Sequence, residues 1–207
     1  MLYSTNLVLL VGHSDFGDFS PRRVTIWSTN DNNVICSSWP FTHKISLAKL
    51  NKKRLLVLER NVLHFYSTDD MKMLHSIEVG SLTPNKITLS PNERNNFLCF
   101  SSSQDEGIVK IYDLLFFSLK TSFQAHKSEI SHLTINTKGD MLVTSSSKGT
   151  ILRIFSLPKG EKLFTFKRGI SSAKIFSINF SQDNSHIIST SDKGTLHVFD
   201  LKKEKEE

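Results

Sequence analysis

Ile130-Ser131-His132-Leu133-Thr134-Ile135 reads as a strand, followed by a turn at Lys138-Gly139-Asp140 and a second strand from Met141-Leu142-Val143-Thr144-Ser145. A second turn at Lys148-Gly149 leads into a third strand, Thr150 to Phe155. The same order returns as Ile175 to Phe180, Gln182-Asp183-Asn184, His186 to Thr190, Lys193-Gly194 and Thr195 to Phe199. In both units Ser-x-Lys-Gly-Thr stands where a hairpin must reverse, and glycine supplies the positive φ that such turns need.

Working outward, a shorter signal recurs along the whole chain: a β-branched or aromatic residue followed by an aromatic, closing an apolar run. The instances are Ile26-Trp27, Phe65-Tyr66, Ile111-Tyr112, Ile154-Phe155 and Val198-Phe199, at spacings of 39, 46, 43 and 44 residues. A period in the low forties built from short strands is that of a propeller blade. Windows that could be helical are short or broken by Gly, Pro and Asn. The expected fold class is therefore all-β: a β-propeller of four-stranded antiparallel blades, about four and a half of them. Residues 1–201 are expected to form a single domain. The charged end, Lys202 to Glu207, is expected to be a solvated, disordered tail. Met1 to Gly12 lacks a basic start and a small-residue cleavage site, so it reads as a strand rather than a signal peptide.

Composition narrows the function. The chain has 207 residues, 38% hydrophobic and 22% charged, enough for a core and too apolar for wholesale disorder. Its net charge of +6 favours an acidic partner, nucleic acid or an anionic membrane surface. Many of the 15 phenylalanines fall in short β-type runs, and the aromatics follow strand-core periodicity rather than an exposed stacking row, which argues against nucleic acid. Cys36 and Cys99 lie in separate apolar runs with no CxxC spacing and read as buried thiols; no metal site or cofactor is expected. No Gly-x-Ser-x-Gly, HExxH, P-loop or paired-carboxylate motif occurs, so an enzyme is not expected.

Phe166-Lys167-Arg168-Gly169 carries the most specific signal. Successive side chains of an extended segment point to opposite sides, so Lys167 and Arg168 address different surroundings. A phosphomonoester wants a cation and several hydrogen-bond donors, which guanidinium, hydroxyl and imidazole groups supply. The stretch Gly149 to Phe155 through Phe166-Lys167-Arg168-Gly169 resembles the PROPPIN family, whose hallmark is Phe-Arg-Arg-Gly or Leu-Arg-Arg-Gly. The likeness runs back through Gln124-Ala125-His126-Lys127 and forward through Thr190 to Phe199. Ser20-Pro21-Arg22-Arg23-Val24 and Leu55 to Glu59 are similar more loosely.

The resemblance implies a seven-bladed, WD40-like propeller that binds phosphatidylinositol 3-phosphate and the 3,5-bisphosphate in autophagy. Carried over by motif position, one headgroup pocket would fall on His126, Ser146, Thr150, Arg153 and Lys167. A second would fall on Arg168, Ser191, Thr195 and His197. Pro21 and Arg22 would contact the family's lipid-transfer partner. The resemblance also implies a cytoplasmic protein, peripheral to phagophore, endosomal or vacuolar membranes, with no nucleic-acid partner. It implies, further, that the first and the last two blades are missing and that the chain stops where the membrane-inserting loop begins.

Two departures stand out: Lys167 replaces the first hallmark arginine, losing its forked donor, and Ser171 and Ser172 stand where relatives often carry a basic residue. Each site residue also has a plainer reading: His126 as a structural histidine of an inter-blade turn, Thr150 and Thr195 as strand starters, Arg153 as a solvated strand residue. The alternative function is a generic WD40-like protein scaffold without lipid binding. Against it, the repeated Gly-His and Trp-Asp pairs are missing, with only Tyr112-Asp113 and Phe199-Asp200 approaching them.

Overall fold

The computed structural model describes residues 6–14, 20–37, 40–102 and 106–202. Two compact units are present, residues 1–81 and residues 82–207. Among the described residues there are eighteen strands and one short 3₁₀ turn, Pro84–Lys86, and no α-helix. The expected tail beyond Lys202, the first five residues and the Cys36 side chain lie outside the described residues.

The first unit holds two antiparallel sheets. β1 (Leu7–Val11), β2 (Val24–Ser28) and β3 (Asn33–Ser37) form one; β4 (Ile45–Leu50), β5 (Arg54–Glu59), β6 (Val62–Ser67) and β7 (Met73–Glu78) form the other, each in chain order. Val24, Leu55 and Val57 form the buried centre between them, with Leu9, Val11, Ile45 and Tyr66 packed against it. The Ser20-to-Arg23 turn enters β2. Pro21 is buried and its carbonyl accepts from Ile45 N at 2.9 Å, while Arg22 is exposed and its carbonyl accepts from Phe41 N at 2.7 Å.

The second unit continues the pattern with β8 (Ile87–Leu89), β9 (Phe97–Phe100), β10 (Ile108–Asp113) and β11 (Ser118–Gln124). The next sheet is β12 (Ile130–Ile135), β13 (Met141–Ser146), β14 (Ile151–Ser156) and β15 (Lys162–Lys167). The last is β16 (Ile175–Phe180), β17 (His186–Ser191) and β18 (Leu196–Asp200). The propeller-blade repeat expected from sequence is thus present as three complete four-stranded sheets flanked by two of three strands.

The recurrent dipeptides have a structural cause. The ladder between the last two strands of a sheet shifts register at Ile26/Trp27, Phe65/Tyr66, Ile111/Tyr112 and Ile154/Phe155. A bulge adds local right-handed twist and turns the next side chain, so the repeat marks where each blade bends. The second strand of each four-stranded sheet is buried on both faces: β13 sends Leu142 toward one neighbouring sheet and Val143 toward the other. Leu142 and Phe155 pack with Cys99, Ile111 and Leu133; Val143, Leu152 and Ile154 pack with Ile178 and Ile187. The Cys99 thiol is fully buried, as expected, and burial pushes its pKa up.

Two glycines predict opposite outcomes. Gly149 turns β13 into β14 at φ +63°, and a Cβ there would meet the Ala173 carbonyl oxygen at 2.0 Å. Gly169 does not use the left-handed region, and a Cβ there would meet nothing within 4 Å. Gly149→Ala should cost about 3 kcal/mol, a left-handed penalty plus overpacking. Gly169→Ala should stay within about 0.5 kcal/mol of the parent. Urea melts of the two variants check this, and equal midpoints would contradict the described turn.

Candidate functional site

The turns of the second unit gather at one end of its sheets. There β11 leaves toward β12, β13 reverses into β14, β15 ends, and β17 reverses into β18. Backbone hydrogen bonds tie these segments together: Ser147 N to Glu129 O at 2.8 Å, Arg168 N to Thr150 O at 2.8 Å, Ala173 N to Lys148 O and Asp192 N to Lys174 O, both at 3.0 Å. Lys127, Lys148, Lys167, Lys174 and Lys193 are all exposed on these segments. Glu129 is ion-paired with Lys86, and the five lysines outnumber the exposed Glu106 and Asp192, so the end is basic.

Strand alternation sorts the site residues. Arg153 shares a face of β14 with Phe155, toward the sheet of β8 to β11, and there it meets His126. Its Nη1 donates to Ala125 O at 2.8 Å and lies 3.3 Å from His126 Nδ1. The other imidazole nitrogen, Nε2, is 2.9 Å from Thr144 Oγ1, whose hydroxyl donates to Arg153 O at 3.3 Å. With that hydroxyl proton committed, Thr144 accepts from Nε2–H and Nδ1 accepts from the guanidinium. The imidazole is thus neutral, and burial, then the Arg153 charge, holds its pKa down at about 4. Ser146 is buried at the end of β13, and Thr150 is half-buried, its carbonyl capping the end of β15. Lys167 is exposed and faces Ile151 across the ladder.

Arg168 follows Phe166 to the opposite face, toward the sheet of β16 to β18, and is only 8% exposed. Its Nε donates to Gly149 O at 2.5 Å and its Nη2 to Ser171 O at 2.7 Å. The guanidinium therefore clamps the Lys148-Gly149-Thr150 turn to the loop after β15. Thr195 and His197 meet at 3.1 Å between Oγ1 and Nε2, and the His197 ring stacks on Phe199. Ser191 Oγ is buried with no protein partner among the described residues. No hydrogen bond among the described residues joins Arg168 to Ser191, Thr195 or His197.

Sequence reasoning missed Thr144 and the two carbonyls that hold Arg168. Thr144 was visible as a polar residue inside a strand buried on both faces. The carbonyl contacts had no signal, because backbone acceptors are the same at every position. Among the described residues no group of three or more His, Cys, Asp or Glu could hold a metal ion, and no helix is long and apolar enough to cross a membrane.

Comparison with known proteins gives one family. A family model described as PROPPIN matches residues 1–206. "Autophagy-related protein 18" of Dictyostelium discoideum is 37% identical over 201 residues, covering 97% of this chain and 53% of the relative. Hsv2 of Kluyveromyces marxianus superposes with a TM-score of 0.80 at 25% identity, covering 97% of this chain and 61% of that one. A structure titled "Complex of KlAtg21 with coiled-coil of AgAtg16" gives a TM-score of 0.83 at 26% identity, covering 97% and 65%. The chain spans about half the length of the curated relatives it matches.

The neutral His126 has a consequence for stability. An unfolded histidine titrates near 6.5 and the folded one at about 4, so between those values the unfolded chain binds the extra proton. This contribution is complete above about pH 6.5 and is lost as pH falls toward 4, with a ceiling of about 3 kcal/mol. Urea melts at pH 7, 5.5 and 4.5 should show a shallower loss for His126→Gln than for the parent. Equal slopes would place His126 outside the buried pair with Arg153.

Proposed function

This chain belongs to the PROPPIN family, and from that premise we propose that it is a non-enzymatic, phosphoinositide-binding peripheral membrane protein that acts as a recruitment scaffold in autophagy. Its ligands are the headgroups of phosphatidylinositol 3-phosphate and the 3,5-bisphosphate. The observation that carries this reading is the end of β15. Two adjacent cationic residues leave it on opposite faces, Lys167 exposed and Arg168 tucked toward the next sheet, each near a turn that bears Ser and Thr hydroxyls.

In the first pocket Lys167 supplies a mobile point charge at the rim, with Ser146 and Thr150 on the adjoining turn and the Arg153–His126 pair behind them. A phosphate dianion beside that pair would favour the imidazolium form of His126 and add a charged donor. In the second, Ser191, Thr195 and His197 supply hydroxyl and imidazole donors for the inositol ring and its phosphate. Arg168 sets the floor: with Nε and Nη2 held by carbonyls, its charge is fixed in place before any ligand arrives. Such prearrangement lowers the ordering cost of binding. The exposed lysines of neighbouring turns add long-range attraction to anionic lipid, about 1 kcal/mol each near the surface. Exposed Arg22 makes the contact with a protein partner, for which we take the family's lipid-transfer partner, while Pro21, expected to share that contact, is buried and shapes the turn that presents it; nucleic acid is not a ligand. The protein works at phagophore, endosomal or vacuolar membranes from the cytoplasmic side.

Partition onto phosphatidylcholine vesicles with and without the 3-phosphate lipid tests the reading. Lys167→Thr should weaken binding about fivefold, the worth of one interfacial charge, and leave the melting curve unchanged. Lys167→Arg should strengthen it by restoring a forked donor. The Lys167→Thr, Arg168→Thr pair should fall to the phosphatidylcholine background. If the double variant, shown to be folded by its melt, binds like the parent, the headgroup site lies elsewhere and the scaffold reading replaces this one.

A further inference from the structure

The loop that joins β15 to β16, Gly169 to Ser172, carries Ile170, which is 89% exposed, the highest value of any large apolar side chain among the described residues. A scattered surface isoleucine is ordinary. The setting of this one is different. Its loop is tied at the start by Arg168 N and Gly169 N on Thr150 O, and at the end by Ala173 N on Lys148 O. The Arg168 guanidinium also holds Ser171 O at 2.7 Å. Ile170 is thus held out into water by a pinned backbone, while Phe166 and Ile175, on either side of the loop in sequence, are buried in the apolar cluster with Ile178.

Two further observations point outward. Gly169 is required neither by its φ nor by crowding, since a Cβ would meet nothing within 4 Å. Glycine there leaves a bare backbone next to Ile170, which suits close approach of another surface. The same end of the unit carries the exposed Lys127, Lys148, Lys167, Lys174 and Lys193, which outnumber the exposed Glu106 and Asp192, while Glu129 is ion-paired with Lys86. An apolar point on a lysine-rich end matches the two layers of an anionic bilayer: charged headgroups outside, hydrocarbon boundary within.

We propose that Ile170 is a bilayer anchor, entering the interfacial region of an anionic membrane beside the headgroup held by Lys167. This rests on the headgroup reading above and extends it to an apolar contact. The pinned loop makes the anchor cheap to use, because no segment has to order on binding.

The test uses the whole chain with Ile170→Ser and Ile170→Trp. Three probes are needed: soluble inositol 1,3-bisphosphate, phosphatidylcholine vesicles with the 3-phosphate lipid, and phosphatidylcholine vesicles with phosphatidylserine. Ile170→Ser should bind the soluble headgroup like the parent and partition onto the 3-phosphate vesicles about tenfold less. Ile170→Trp should shift its emission to the blue on vesicles and be quenched by brominated phosphatidylcholine, after subtraction of the parent signal from Trp27 and Trp39. Parent-like partition of Ile170→Ser, or an indole at 170 still quenched by aqueous iodide on the vesicles, overturns the anchor and leaves the headgroup site standing. Loss of soluble headgroup binding by the parent, with bromine quenching retained on phosphatidylserine vesicles, overturns the headgroup site and supports the anchor. Failure of the parent with all three probes overturns both.

Discussion

A β-sheet whose middle strand is apolar on both faces cannot stand alone in water; it needs a neighbour on each side. β13 is such a strand, and Leu142 and Val143 are its two commitments, one to each adjoining sheet. At about 25 cal/mol per Å² of apolar surface, neither face can be left wet without losing much of a domain's net stability. Stacked sheets follow from that requirement, and the site follows from the stacking. Where two sheets meet, the turns at their ends meet as well. The same alternation that sends Phe155 and Phe166 to opposite cores sends Arg153 and Arg168 to opposite gaps.

The fold was legible because its signals are local. Turn glycines at 139, 149 and 194 take positive φ, and the dipeptides near 27, 66, 112 and 155 mark bulges. Each is written within a few neighbouring residues, and repetition at a period in the low forties multiplied a weak signal. Of the candidate site, the opposite sides of Lys167 and Arg168 were legible from strand alternation, and the resemblance had put His126 and Arg153, 27 positions apart, in one pocket without giving their contact. What each donor does was not legible. Arg168 spends two of its donors on the carbonyls of Gly149 and Ser171, and nothing in the identity of either residue announces that. Thr144, which sets the tautomer of His126, stood out only as a polar residue in a run read for strand character, with nothing to say which side chain it would meet.

These details divide labour between two adjacent cations that sequence treats alike. Lys167 is a hydrated, mobile charge on a flexible stem, suited to meeting a ligand. Arg168 is a buried fork whose fixed contacts hold a turn and a loop at a set spacing. Under the proposed function a change at 167 would act on binding, and a change at 168 would act on the shape of the rim as well. His126 adds a third element. Buried beside a guanidinium, it stays neutral at physiological pH, so the resting pocket carries less charge than its residue list suggests. An arriving dianion would reverse that balance, since the nearby negative charge favours imidazolium.

That reversal gives the most direct measurement. The imidazole resonances of His126 can be titrated by NMR with and without soluble inositol 1,3-bisphosphate, using His126→Gln to assign them. The account predicts a pKa near 4 in the free protein and a clear rise when the headgroup is saturating. A histidine that titrates at the same pH with and without the headgroup would contradict the claim that a phosphate sits beside Arg153 and His126.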